Sequence, residues 1–333
     1  MAVKIFSTTS VLILSIALLS FGHCCYGQLR VGFYNKDCRN VENIVFRVVR
    51  EAFIKDSSLA PAMIRLYFHD CFSNGCDASL LLDGTSSEKK ASPNLSVRGY
   101  ELIDDIKTAV DLECHEIVSC ADIIAIATRD LVNLASGGKT WYAIPTGRFD
   151  GVVSLASTVD LPSPRMTVSQ TAQKFADRKL SLTDMVLLLG GHTIGVAHCS
   201  FIMDRLYNFQ NTKQPDPSMD SKLVQDLRAK CPQGSSSDGI INLDQNLTSS
   251  NTMDVSFYKE INSRRGILHI DQQLAIDGMT SKLVSDIANG NDFLSRFGQA
   301  MVNLGFVGVK NKGNGEIRKS CRSCNSPFFC ATS

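Results

Sequence analysis

Twelve cysteines spread over 333 residues constrain this chain more than any other feature. An ordinary reduced cytosolic enzyme carries fewer, and a small disulfide-stapled scaffold spaces them far more densely. Their positions resolve the conflict. Cys24 and Cys25 sit in an opening segment laid out like a secretory leader, with Lys4 as the positive start, an apolar run over 11–19 and the small residue Gly27 at its end. A membrane anchor needs about 20 apolar residues, twice what this run supplies, and no later stretch is longer. The reading is a signal peptide over 1–27 and a secreted chain over 28–333. Ten cysteines then remain, an even number, and disulfides are their expected state in an oxidising compartment.

Composition narrows the class further. With 44% hydrophobic and 20% charged residues the chain can bury a core and is not disordered. Lys plus Arg total 34 against 33 for Asp plus Glu, and losing Lys4 with the leader would leave 33 of each. That balance lacks the basic excess of a polyanion binder, so nucleic acid is disfavoured as a partner.

The periodicity is mostly helical. Over 41–54 the apolar residues Val41, Ile44, Val45, Val48, Val49 and Ala52 mark one helical face. Similar patterns predict helices over 59–71, 100–112, 120–134 and 292–304, with another entered at 183–189. Turn-rich segments separate them at 83–94, 136–146, 161–164, 210–219 and 232–239. Period-2 alternation is scarce, with one short strand expected over 141–144. The stretch Leu161, Pro162, Ser163, Pro164 is a candidate domain boundary, but composition does not change across it. One all-α domain with long loops is the better reading.

Two runs carry chemistry. In Arg65-Leu66-Tyr67-Phe68-His69-Asp70-Cys71-Phe72, Arg65 and His69 are four residues apart and share a helix face. A guanidinium beside an imidazole favours the neutral, proton-accepting ring, and the pair suits proton abstraction with stabilisation of developing negative charge. Taken alone, such a pair is more often a solvated helix face. In Gly190-Gly191-His192-Thr193 a histidine ends an apolar helix beside glycines that admit a bulky flat group, which suits axial ligation of haem iron. Alone, it reads more often as a core histidine bonded to a carbonyl.

Together, about 120 residues apart and in this order, the two runs closely resemble the secreted plant (class III) haem peroxidases. Further matching stretches are Gln28-Leu29, Phe33-Tyr34, 114–122, Gly147-Arg148-Phe149-Asp150, 201–208, Ile270-Asp271-Gln272-Gln273-Leu274 and Gly315-Glu316-Ile317-Arg318. The resemblance implies an all-α fold whose halves sandwich one haem b. It implies reduction of hydrogen peroxide to water with one-electron oxidation of phenolic donors, through oxo-ferryl iron and a porphyrin radical. His192 would be the proximal iron ligand and Asp271 the acceptor of its other N–H. His69 would be the distal acid–base residue, Arg65 its electrostatic partner, and Asn94 the acceptor of the distal Nδ1–H. Phe68 stands where intracellular relatives carry a distal tryptophan. The single tryptophan, Trp141, is read as a loop residue.

The resemblance also implies two calcium sites. The distal one would use Asp70, Ser73, Gly75, Asp77 and Ser79, supported through water by Glu88; a rival zinc reading takes His69, Cys71 and Cys76. The proximal one would use Thr193, Asp244, Thr252 and Asp254, with either Thr248 or Ser249 for the remaining ligand because 244–254 is about two residues longer than is usual. Four bridges are implied: Cys38–Cys114, Cys71–Cys76, Cys120–Cys321 and Cys199–Cys231. Cys324 and Cys330, in a C-terminal tail over about 322–333, fall outside that pattern and are close enough to pair around a turn. Of the sequons at Asn94 and Asn246, only Asn246 is expected to carry sugar. Pro162 belongs to a segment that lines the donor groove in relatives, and Arg165 beside it would favour anionic phenolics. The partners implied are peroxide and small aromatic donors, with no membrane, a monomer, and an extracellular or cell-wall location with the vacuole as alternative. The competing reading is a secreted protein of the same fold without turnover. A hydrolase reading lacks a nucleophile in a strained turn.

Overall fold

The computed structural model describes residues 29–332, so the leader read over 1–27 and Gln28 lie outside the described residues. The architecture is helical. The first group comprises α1 Val41–Lys55, α2 Leu59–Ser73, α3 Tyr100–Cys114 and α4 Cys120–Ala135. The apolar stripe of α1 buries Val41, Ile44, Val45 and Val49, as its spacing requires. The central helix α4 is buried along almost its whole length and starts at Ser119, whose hydroxyl accepts the Asp122 N–H at 3.1 Å. α1 packs on α3 and α4, and α2 packs on α4.

The second group comprises α5 Val168–Asp177, α6 Leu182–Leu189, α7 Met203–Tyr207, α8 Ser221–Lys230, α9 Ser256–Asn262, α10 His269–Ile276, α11 Ser281–Asn289 and α12 Phe293–Leu304. Here α6 packs on α12, and α9 packs on α10 and α11. Contacts of α2 with α12 and with the Gly190–Thr193 turn join the two groups. The strand expected over 141–144 is absent: that segment is irregular, and pairing begins only beyond it, at Thr146 with Arg30. Trp141 and Tyr142 carry β-type side chains, but Tyr142 lies against Gly298 of α12 and neither has a partner strand among the described residues. The strands among the described residues are β1 Val196–His198 and β2 Ile240–Asn242, paired antiparallel.

The Gly147-Arg148-Phe149-Asp150 run ties the parts together. Arg148 donates to Asp122 at 2.8 Å and to the Gly305 carbonyl at 2.7 Å, all buried. Asp150 accepts the N–H groups of Cys120, Ala121 and Arg318. Among the described residues five disulfides are formed, the four implied bridges and Cys324–Cys330.

Candidate active site

Helix α2 places Arg65 and His69 on one face, as their spacing requires, with the Arg65 Nε donating to His69 Nε2 at 3.3 Å. The Arg65 guanidinium also donates to the Pro93 carbonyl (2.8 Å) and to the Ser96 carbonyl and hydroxyl (both 3.1 Å), so the 93–96 segment fixes its position. Ser96 and Pro93 are contributors that sequence reasoning missed, because no spacing rule links positions about 30 residues apart. His69 Nδ1 lies 2.6 Å from Asn94 Oδ1. The Asn94 amide nitrogen donates to the Glu88 carbonyl at 2.8 Å, which leaves Oδ1 as acceptor and Nδ1 as the protonated nitrogen. Nε2 is therefore a lone-pair base. Burial, reinforced by the Arg65 charge and opposed by the Asn94 bond, pushes the His69 pKa down to about 4. Phe68 projects to a different face and stacks on Phe72 and Phe175.

His192 lies in the tight turn that follows α6. Its Nδ1 is 2.9 Å from the buried Asp271 Oδ1, supplied by the first turn of α10. Burial lowers the His192 pKa, but the Asp271 charge and hydrogen bond outweigh that and raise it overall. Pairing Nδ1 with a carboxylate directs the Nε2 lone pair away from Asp271, as an imidazole donor to a metal requires. The glycines of this turn do a different job from admitting a flat group. A Cβ on Gly190 would meet the Tyr258 hydroxyl at 2.3 Å, and one on Gly191 would meet Ile64 Cγ2 of α2 at 3.3 Å. They let α9 and α2 close on the turn, which brings the two histidine elements against each other.

Acidic groups gather at the end of α2. Asp70, Asp77 and Glu88 are all buried. Burial and then the charges of Asp77 and Glu88 hold the Asp70 pKa well above the carboxylate range, and burial foremost pushes Glu88 to about 7. The hydroxyls of Ser73 and Ser79 and Glu88 Oε2 are buried without a protein hydrogen bond. Gly75 adopts φ +112° and its carbonyl accepts the Asp77 N–H. Lys310 Nζ approaches Asp77 at 3.4 Å and supplies part of the counter-charge. The rival zinc reading fails, since Cys71 and Cys76 are bonded to each other.

A second acidic group lies below His192. The Thr193 hydroxyl donates to Asp254 at 3.3 Å, and Ser256 donates its hydroxyl to Asp244 and its N–H to Asp254. Burial foremost pushes Asp244 to about 6, and its Oδ2 and the Ser249 hydroxyl are buried without partners. Thr248 is exposed and bonds Asn246, and Thr252 is exposed, apart from the carboxylates. Among the described residues, no three His, Cys, Asp or Glu side chains converge as a ready-made metal cluster.

At the rim, the Pro164 carbonyl accepts the Ile270 N–H at 3.0 Å, so the segment carrying the half-buried Pro162 is tied to α10 beside Asp271. Arg165 faces Asp204 at 3.5 Å, which offsets the cation that an anionic donor would seek. Trp141 is 61% exposed with Arg129 over its ring. Among the described residues no helix is long and apolar enough to cross a membrane.

The pairing of an imidazole base held by Arg65 and Asn94 with a second imidazole held by a carboxylate is that of a haem enzyme acting on peroxide. Comparison with known proteins agrees. The family model described as Peroxidase matches residues 45–290. Peroxidase 60 of Arabidopsis thaliana is 78% identical over 330 residues, covering 98% of this chain and 99% of the relative. Peroxidase 57 of the same plant is 46% identical over 90% of this chain and 94% of its own length, and Peroxidase 5 of Vitis vinifera 43% over 90% and 92%. The chain belongs to the peroxidase family, among its plant class III haem enzymes.

Proposed function

We propose that this haem peroxidase reduces hydrogen peroxide using His69 as the acid–base residue, with small phenols as electron donors. The observation that carries the assignment is the fixed tautomer of His69, with Nδ1–H on Asn94 and an unprotonated Nε2 that accepts from Arg65. Bound haem supplies the iron at which peroxide is reduced and the store of oxidising equivalents drawn on by the donors. His192 would hold that iron through Nε2, and Asp271, by accepting Nδ1–H, makes the ring a stronger donor. His69 Nε2 takes a proton from peroxide and returns it to the departing oxygen. Arg65 stabilises the negative charge on that oxygen as the bond breaks. Two phenols, each giving one electron and one proton, complete the conversion to two waters.

The fit to calcium rests on orphaned buried oxygens. Ser73, Ser79 and Glu88 at the end of α2, and Asp244 and Ser249 below His192, all hold polar atoms that nothing in the protein satisfies, and hard oxygen donors suit that ion. We assign Asp70, Asp77 and Ser79 with backbone carbonyls of Ser73 and Gly75 to one calcium, and Thr193, Asp244, Asp254 and Ser249 rather than Thr248 to another. Thr252, exposed, can enter only through its carbonyl. Chelation should lower the melting temperature and added calcium restore it, a scanning calorimetry measurement. A site held at 100 times its Kd contributes about 2.7 kcal/mol.

The reading also includes a leader over 1–27, a single domain over 28–333, secretion to the cell exterior and a monomeric state. The decisive test is a Soret spectrum of the purified protein with peroxide-dependent oxidation of a phenol. Turnover in His69→Leu equal to that of the parent would remove the assignment.

A further inference from the structure

The residues after Cys321 lie outside the four-bridge framework, yet those described, 322–332, reach the distal site through a continuous set of hydrogen bonds. Cys324–Cys330 closes a short loop whose tip, Phe328 and Phe329, is 92% and 78% exposed. Beyond the loop the chain turns inward. The Ala331 N–H donates to the Val152 carbonyl at 2.9 Å, and its carbonyl accepts the Ser154 N–H at 2.8 Å. The Thr332 carbonyl accepts the Ser86 N–H at 3.1 Å, and Ser86 in turn accepts from Ala156 at 2.7 Å. A Cβ on Gly84 would strike the Thr332 carbonyl at 2.4 Å, so the tail is seated directly on that residue.

What the tail holds is the base of the distal network. Ser154 is fully buried, and its hydroxyl accepts the Glu88 N–H at 3.0 Å. The Glu88 carbonyl accepts from Asn94 at 2.8 Å, and Asn94 accepts from His69 at 2.6 Å. Three hydrogen bonds therefore separate Ser154 from the acid–base histidine, and its own N–H binds the tail directly, at the Ala331 carbonyl. The Glu88 side chain is held independently by Asn74 at 2.9 Å, so the Ser154 contact acts on the Glu88 backbone.

We infer that Ser154 is a positioning residue for His69, and that the tail closed by Cys324–Cys330 keeps Ser154 and the 84–88 segment in place. The inference rests on the reading of His69 as the acid–base residue. Losing the Ser154 hydroxyl leaves the Glu88 N–H buried and unpaired, which lets the Glu88 carbonyl, Asn94 and the His69 ring shift. The cost of one such bond corresponds to a change of about 5- to 10-fold.

The test uses the full-length haem-loaded protein and compares Ser154→Ala, Ser154→Thr, the pair Cys324→Ser/Cys330→Ser, and His69→Leu. Stopped-flow separates the reaction with peroxide from the reaction with a phenol, and hydrogen–deuterium exchange follows the amides of 84–94. Ser154→Ala should slow the peroxide step about 5- to 10-fold with the donor step unchanged, and Ser154→Thr should restore it. The cysteine pair should speed exchange at Ser86 and Glu88 and slow the peroxide step in the same direction. Unchanged peroxide rates with unchanged exchange, or equal loss in both steps, would overturn the inference. If Ser154→Ala does not fold, the cysteine pair and Ser154→Thr decide alone: native exchange at 84–94 in the former overturns it. His69→Leu keeps the two readings apart, because full peroxide reactivity there removes the assignment of His69 itself.

Discussion

The two ring nitrogens of His69 face different partners, and that difference sets the pH range in which the residue serves as a base. Asn94 pins Nδ1–H and Arg65 faces Nε2, while burial together with that guanidinium holds the pKa near 4 instead of 6.5. A depressed histidine pKa means the folded state binds fewer protons than the unfolded one. The associated stability is full above pH 6.5 and is lost as pH falls toward 4. The peroxide reaction should accordingly be flat from pH 8 to about 5 and fall below about 4 with the slope of one proton. His69→Leu should cost about 10²- to 10⁴-fold in that step, and a stopped-flow pH series checks both. The same geometry decides between the sequons. Asn94 is 2% exposed, with both side-chain atoms engaged and Ser96 holding Arg65. Asn246 sits in a partly exposed turn where only its Oδ1 is bonded, by Thr248. A glycopeptide map should place sugar on Asn246 and none on Asn94.

Helices that bury a wide stripe announce themselves, and those held by caps and neighbours do not. The spacing over 41–54, 59–71, 100–112, 120–134 and 292–304 corresponds to α1 to α4 and α12 within a few residues. α5 and α8 are among the helices that lie outside those stripes, although each carries a start signal, the Thr167–Gln170 capping box and the Asp220 cap. The residue spacing brought Arg65 to His69, but only the whole-chain resemblance reached Asn94 and Asp271. Those contacts cross 25 and 79 residues, beyond any local period. The turn after α6 carries a steric constraint that its sequence does not announce. Gly190 has φ −61°, which any residue accepts, so the exclusion of a side chain there is purely steric. Gly190→Ala drives a methyl into the Tyr258 hydroxyl, which donates to the Val186 carbonyl at 2.9 Å. Overpacking of this kind costs about 1–3 kcal/mol. Urea denaturation should show that loss, and adding Tyr258→Phe should recover part of it, giving a non-additive double-mutant cycle.

At the scale of the whole molecule the five bridges divide by what they enclose. Cys120–Cys321 joins the start of α4 to the last stretch of chain across 201 residues, while Cys324–Cys330 spans 6. A cross-link stabilises mainly by restricting the unfolded chain, and the restriction grows with the logarithm of loop length. On that model the long bridge contributes about 5 kcal/mol and the short one about 2 kcal/mol. The long bridge also sits beside Asp150, which gathers the N–H groups of Cys120, Ala121 and Arg318. Those bonds persist without the bridge, so the folded state keeps its node and the loss falls on the unfolded side. Cys120→Ala/Cys321→Ala should therefore lower stability by roughly twice as much as Cys324→Ser/Cys330→Ser, with the m-value rising in the former as its unfolded chain expands. Their effects on the peroxide reaction should run in the opposite order. The short bridge lies nearer the hydrogen-bond path through Ser154 and Glu88 to Asn94, so its loss should slow that step more per kcal/mol of stability. Guanidinium titrations set beside stopped-flow rates of both variants give the comparison. A peroxide rate that simply tracks global stability across the two would show that the tail has no separate hold on the distal site.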